Sequence, residues 1–334
     1  DMRDKDLVHG NIRPANLYDG GNKNLERAIL GECLCLPIGY NQPVLYETID
    51  RGMVSAIGRG TGTTQDDLYS FGVTLAVLLR HFDPLEGLSD EEIVERKMEE
   101  GSYVALLSRD RFSGAVLELL RGLLQDDPGQ RWTLDEVMQW MEGRRLSPKQ
   151  AVRRAKANRP LAFNNEKYIR PELLARDMHK NLNEARHLVE SGEMDQWLSR
   201  ALENKLTTGR YENALKQAEE GGKANGYTEK LVTRVSIALH PEGPMRYKNI
   251  NVMPEGVGAA LYEAFVMKRD LQTYIDFFMN YFITQWVDSQ NNTVPDATNL
   301  VSKFDGARAF LRQKGLGNGL ERCIYSLNAE APCL

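Results

Sequence analysis

Long apolar runs are missing from this 334-residue chain. Nothing approaches the roughly 20 consecutive apolar residues needed to span a bilayer, and no basic-then-apolar leader is present. No membrane span and a cytoplasmic location are therefore expected. Cysteine is scarce: Cys33, Cys35, Cys323 and Cys333 are the whole set. Their spacing makes neither a disulfide framework nor a zinc set, so a reducing compartment and no bound metal are expected. An excess of positive charge is missing too. The formal net charge of −5 offers no general attraction to nucleic acid. No fixed-period repeat is present, which argues against a solenoid. What remains is an ordinary globular composition, 42% hydrophobic and 27% charged, with enough length for two domains at about 100–200 residues each.

Residues 17–66 are mixed in character, and "ILGECLCLP" (29–37) reads as a short buried strand. "GRGTGTTQ" (58–65) reads as a loop, with Thr64 as N-cap of the helix that follows. "DDLYSFGVTLAVLLRHF" is apolar nearly all round, which predicts a buried helix. "LSDEEIVERKMEEG" predicts an exposed helix with Ser89 as N-cap, Glu92 three residues on and Gly101 at the stop. "SGAVLELLRGLLQDD" and "TLDEVMQWMEG" predict amphipathic helices, the second opened by a Thr133/Glu136 capping box. From Pro171 onward the pattern is helical, with a break expected near Lys268–Asp270.

Three separated pieces of the first 143 residues belong together: "VHGNIRPAN", "DLYSFGVTLAVLL" and "LLRGLLQDDPGQRWTLDEV". In that order they resemble the catalytic loop, the buried central helix and the D-P-x-x-R turn in the C-terminal lobe of the eukaryotic-like Ser/Thr protein kinase superfamily. The resemblance implies a mainly α fold: a kinase-like C-lobe (1–143), a basic linker (144–170) and a C-terminal helical domain or bundle (171–334). It implies that Asp67 caps the catalytic-loop backbone, and that His9, Asp67 and Arg131 are structural anchors. It also implies that Arg131 pairs with the carboxylate closing the activation segment, read as Asp50 in "YETID". The Gly-rich loop, β3 lysine and helix-C glutamate of the family precede this loop and are not in the sequence. The opening "DMRDKDL" is expected for a fragment.

Phosphoryl transfer by this loop requires a carboxylate base, and Asn11 stands in that place. Gly10 replaces the arginine that would clamp an activation-loop phosphate, and Arg13 replaces the phosphate-steadying lysine. Asn16 matches the second metal ligand. Where D-F-G is expected stands "LGECL", whose carboxylate is Glu32. Asn16 and Glu32 are thus vestigial candidates for nucleotide-metal binding, catalytic residues are expected to be none, and no ATP or Mg²⁺ cofactor is expected.

The aromatics of the second half, Trp197, Phe265, Tyr274, Phe277, Phe278, Tyr281, Phe282 and Trp286, fall mostly at helical spacing and read as core, with an exposed stripe for a partner helix as the alternative. Glu184-x-x-His187 has the spacing of half a di-iron site but occurs once, so it predicts no metal. "GGKAN" (221–225) is not a P-loop. "LHPEGPMRYKNINVMPEG" (239–256) reads as a polar loop in which Arg246, Tyr247 and Lys248 could meet a ligand or partner. Residues 144–180 hold eleven Lys/Arg against three Asp/Glu, either packed on an acidic lobe or offered to a partner. The functional expectation is a catalytically inactive pseudokinase acting as a protein-binding scaffold or regulator through the helical domain or the basic segment. The alternatives are a divergent phosphotransferase or nucleotide-binding switch, and a structural helical adaptor.

Overall fold

A computed structural model describes residues 7–21, 28–32, 37–107, 112–149, 154–220, 222, 226–291, 294 and 296–328. The chain is mainly helical and divides into two compact units, Asp1–Arg153 and Arg154–Leu334. No helix among the described residues is long and apolar enough to cross a membrane.

In the first unit a short antiparallel hairpin, β1 (Leu17–Asp19) and β2 (Ala28–Leu30), sets Leu17 opposite Leu30. The helices are α1 (Ile49–Gly52), α2 (Thr64–Arg80), α3 (Asp90–Glu100), α4 (Ser102–Leu107), α5 (Gly114–Leu123) and α6 (Leu134–Met141). Local chemistry sets several of their starts. Ser89 with Glu92 and Thr133 with Glu136 form reciprocal capping boxes on α3 and α6. For α2 the cap is Thr63, whose N–H and hydroxyl both reach the Asp66 carboxylate, rather than Thr64 as the sequence suggested. Only Thr63 stands three residues before that carboxylate.

Helix α2 buries Tyr69, Val73, Ala76 and, among polar residues, Ser70 and Thr74. All-round burial does not hold: Leu78, Leu79 and Phe82 are exposed. Leu119, Leu123, Trp132 and Val137 form a core cluster on which Leu68, Phe71, Leu75, Trp140 and Leu146 pack. Position 122 must be glycine, because a Cβ there would lie 2.2 Å from the Trp132 ring. The strand expected over 29–37 is shorter and less buried than anticipated. Only Ala28–Leu30 pairs, on an exposed hairpin, and Cys33–Leu36 lie outside the described residues. Helix α3 is not solvated all round either, since Ile93, Val94, Lys97 and Met98 form a buried face.

The start of the basic segment lies on the first unit. Leu146 joins its core cluster, Gln125 Nε2 donates to the Lys149 carbonyl (3.1 Å), and Arg145 binds Glu118 (3.0 Å). Residues 154–170 belong to the second unit. They include a hairpin, β3 (Leu161–Phe163) and β4 (Glu166–Tyr168), turned at Asn164-Asn165 with both φ positive, the geometry for which Asn is favoured.

Helices α7 (Pro171–Met178), α8 (Leu182–Glu190), α9 (Glu193–Trp197), α10 (Lys205–Glu220) and α11 (Tyr227–Leu239) follow. Helix α11 is the centre of this unit, with Leu231, Val232, Val235, Ile237, Ala238 and Leu239 all buried. The presumed polar loop after it is a buried antiparallel hairpin, β5 (Met245–Tyr247) and β6 (Ile250–Val252). Arg246 and Tyr247 are therefore interior residues and not a partner surface. Tyr247 packs its ring on Phe282 at 5.3 Å, and the Thr233 hydroxyl donates to the Arg246 carbonyl (2.6 Å). Lys248 remains half-buried and pairs with Asp276 at 3.1 Å.

Helix α12 (Val257–Val266) ends just before Lys268–Asp270, and α13 (Gln272–Met279) starts after it. A second break at Tyr281, in the left-handed region at φ +56°, opens α14 (Phe282–Asp288). Helices α15 (Ala297–Lys314) and α16 (Leu320–Asn328) complete the unit. Trp197, Tyr274, Phe277, Phe278, Phe282 and Trp286 are buried, whereas Phe265 and Tyr281 are exposed. Cys323 is buried, which pushes its thiol up to about 12; Cys33, Cys35, Cys333 and most of the "GGKAN" stretch lie outside the described residues.

Candidate functional site

The loop from His9 to Asn16 is held from three sides. Asp67, in the first turn of α2, accepts the backbone N–H of His9 (2.6 Å) and of Gly10 (2.8 Å). Burial pushes the Asp67 carboxyl above its ordinary value, and these two N–H bonds oppose that shift only in part. One turn pair further along α2, the Thr74 hydroxyl donates to the Ile12 carbonyl (3.1 Å), which also receives Gln42 Nε2 (3.3 Å). His9 Nδ1 accepts the Asn11 N–H (3.2 Å), leaving Nε2 to donate to the Gly31 carbonyl (3.3 Å). That pair of partners selects the tautomer.

Asn11, Asn16 and Glu32 come together, but through amides and main chain. The Asn11 amide donates to the Glu32 carbonyl (3.3 Å). The Asn16 amide donates to the Asn11 and Glu32 carbonyls (2.9 Å each), and its Oδ1 accepts the Glu32 N–H (3.1 Å). Asn16 thereby braces the loop with both ends of its amide. Glu32 enters this network by its backbone while the residue itself is exposed. Asn11 Oδ1 and Arg13 Nε are buried without a hydrogen-bond partner among the described residues. No group of three His, Cys, Asp or Glu among the described residues is arranged to hold a metal ion. Asn16 is committed to the main chain, Glu32 is exposed, and Asn11 Oδ1 is the buried oxygen left without a partner among the described residues.

Gly10 has φ +64°, and a Cβ there would lie 2.5 Å from Ile38 Cγ2 and 2.8 Å from the Gly39 nitrogen. The position admits no larger side chain without displacement of the neighbouring backbone.

Asp50 sits in the first turn of α1, and the expected pair with Arg131 is replaced by another arrangement. Arg131, fully buried, gives its guanidinium to the carbonyls of Gln65 (2.6 Å), Gln125 (3.0 Å) and Asp126 (3.4 Å) and lies over the Tyr69 ring. The buried carboxylate of that stretch is Glu47, bound to Arg51 Nε (3.0 Å) and Arg59 Nη1 (3.4 Å). The physical reason is reach: Glu47 lies inside the fold among donors of its own segment, whereas Asp50 is only half-buried.

Lys97 was missed as well. Its ammonium meets the carbonyls of Leu45 (2.6 Å), Glu47 (2.9 Å) and Val44 (3.3 Å), and burial lowers it to about 7. A signal was present, because Lys97 shares the helical face of Ile93, Val94 and Met98.

A 143-residue stretch, 42% of this chain, is 27% identical to 38% of an Aurora kinase from Eremothecium gossypii. The similarity is to serine/threonine kinases. The probable serine/threonine-protein kinase pXi of Dictyostelium discoideum is 29% identical over 153 residues, 42% of this chain and 20% of its own length. The serine/threonine-protein kinase DCLK3 of Mus musculus is 28% identical over 155 residues, again 42% of this chain, and 19% of its own. The chain therefore spans well under half the length of each of these three kinases. No protein-family model and no solved structure matches it.

Proposed function

We propose that the kinase-like part of this chain is a degenerate, catalytically inactive C-lobe, a pseudokinase module, and that the protein works as a protein-binding scaffold or regulator. One observation carries the reading: the residue in the place of the base is Asn11, and its amide is spent as a donor to the Glu32 carbonyl. Phosphoryl transfer needs a carboxylate to orient the hydroxyl and accept its proton, and a neutral amide accepts none. The commitment of Asn16 to backbone and the closed space at Gly10 support the same reading. A loop this heavily braced serves the shape of the lobe, and the partner is a protein met through the helical unit or the basic residues 144–180.

The test pairs a melting experiment with a transfer assay. Thermal denaturation with and without Mg-ATP is expected to give the same midpoint. A ligand at 100-fold its Kd would add about 2.7 kcal/mol, so a Mg-dependent rise overturns the nucleotide part. Label transfer from ATP that vanishes in Glu32→Ala overturns the inactive reading altogether.

A further inference from the structure

The chain breaks between α13 and α14 at Tyr281, which lies in the left-handed region at φ +56°. That conformation is uncommon for a bulky side chain. At this point the ring leaves the aromatic core: Phe277, Phe278 and Phe282 are buried, while Tyr281 is 43% exposed. What Tyr281 meets instead is positive charge. The Arg308 guanidinium lies over its ring, 3.5 Å from the centroid. Arg312, one turn further along α15, donates to its hydroxyl oxygen (3.4 Å). Arg308 is itself buried and fixed, with Nε on the Phe278 carbonyl (2.9 Å) and Nη1 on Asp305 (2.6 Å). Arg312 is exposed and meets no carboxylate among the described residues. The hydrogen bond from Arg312, with the charges of Arg308 and Arg312, holds the phenol below its ordinary value of 10. Two cations at i, i+4 on one helix thus converge on an exposed, neutral oxygen.

We propose that Tyr281 is a phosphorylation site, with Arg308 and Arg312 as the clamp that receives its phosphate. The phosphoryl donor is a nucleoside triphosphate held by a separate tyrosine kinase. The Tyr281 oxygen forms the new P–O bond, and the bond to the nucleoside diphosphate leaving group breaks. The phenol proton passes to a carboxylate base of that kinase. A phosphotyrosine carries about −1.5 to −2 charge and three acceptor oxygens, which a guanidinium binds through two N–H donors at once. Arg308 holds the ring from beneath, and the long exposed side chain of Arg312 follows the phosphate outward. The other exposed tyrosines, Tyr18, Tyr40, Tyr262 and Tyr325, have no arginine on their hydroxyls among the described residues. Charge selects Tyr281 among them. The phosphate then ties α15 to the α13–α14 elbow, adding to the Phe278–Phe304 ring contact at 5.6 Å.

The full chain with phosphotyrosine incorporated at position 281 during translation tests the clamp. In a ³¹P NMR titration the second pKa of the phosphate, ordinarily about 6, should fall by about one pH unit or more beside two cations. Arg312→Gln should return about half of that fall or more. The modified chain should also melt a few degrees above the unmodified one, a difference that Arg312→Gln removes. Arg312→Lys, which keeps the charge and loses the fork, should recover only part of both effects. It keeps the test intact if Arg312→Gln misfolds. Occupancy is read by mass spectrometry of the chain isolated from its native cells with tyrosine phosphatases blocked by vanadate. A phosphopeptide carrying position 281 is expected. A phosphate that titrates at its ordinary value overturns the proposal, as does a fall that both Arg312 variants leave in place. So do equal melting midpoints, or a peptide around position 281 that stays unmodified in those cells.

Discussion

Replacing Asp67 with alanine removes the one side chain that joins α2 to the His9–Gly10 backbone by two hydrogen bonds. Both N–H groups then lose their acceptor in a part-buried site. Each such loss costs about 1–3 kcal/mol, or about 2–6 for the pair. Some of this is returned, because the carboxylate is held against burial, as its raised pKa records. A net loss of about 3 kcal/mol is expected. For a unit of this size that lowers the melting midpoint by about 6–12 °C. The pH dependence has a definite sign. Asp67 binds its proton more tightly folded than unfolded, so its contribution is greatest below its ordinary value of 3.8 and declines as pH rises through the raised folded value. Asp67→Ala should lack that declining slope. Calorimetry across pH gives the global numbers, and amide exchange over residues 9–16 gives the local one. A loss under 1 kcal/mol, or a full loss that leaves loop protection intact, would refute the tether.

Two further side chains test the electrostatics. His179 is lowered to about 4 by burial and by Arg246, so it is neutral in the fold. Its stabilising contribution is complete above the ordinary value of 6.5 and is lost as pH falls from there to about 4, up to about 3 kcal/mol. His179→Gln should flatten that part of the second unit's stability curve, and an unchanged curve would contradict the assignment. Lys97→Met fills most of the lysine's volume but strips a donor from three buried carbonyls. We expect about 2–4 kcal/mol of destabilisation in urea titration and faster proteolysis around residues 44–47; a change below 0.5 kcal/mol would mean those carbonyls are satisfied otherwise.

The legible features were those encoded within a few residues. The capping boxes of α3 and α6 need only an N-cap and its acidic partner three positions on. The break between α12 and α13 was marked by clustered charge. The loop around Asn11 could be read because the residue types that shape it are contiguous. The three-residue strands were not legible, since segments that short carry no periodicity and sit among Pro, Gly and Asn. Nor was the Glu47–Arg51–Arg59 group, because polar residues in and around a single-turn helix give no sign of which one turns inward.

The chain's own sequence determined its mainly helical character and the starts of its clearest helices, since each depends on residue type and short-range spacing. Tertiary structure alone decided which charges are buried. Arg246 lies inside a hairpin, Lys97 sits among three carbonyls, and Arg131 takes backbone oxygens instead of Asp50. A buried charge is tolerable only where acceptors from distant segments converge on it, and that convergence exists only once the chain has packed. The bare half of α12 belongs to the same class. Apolar sequence marks a helix for burial, and the packing of its neighbours leaves Tyr262, Phe265 and Val266 exposed.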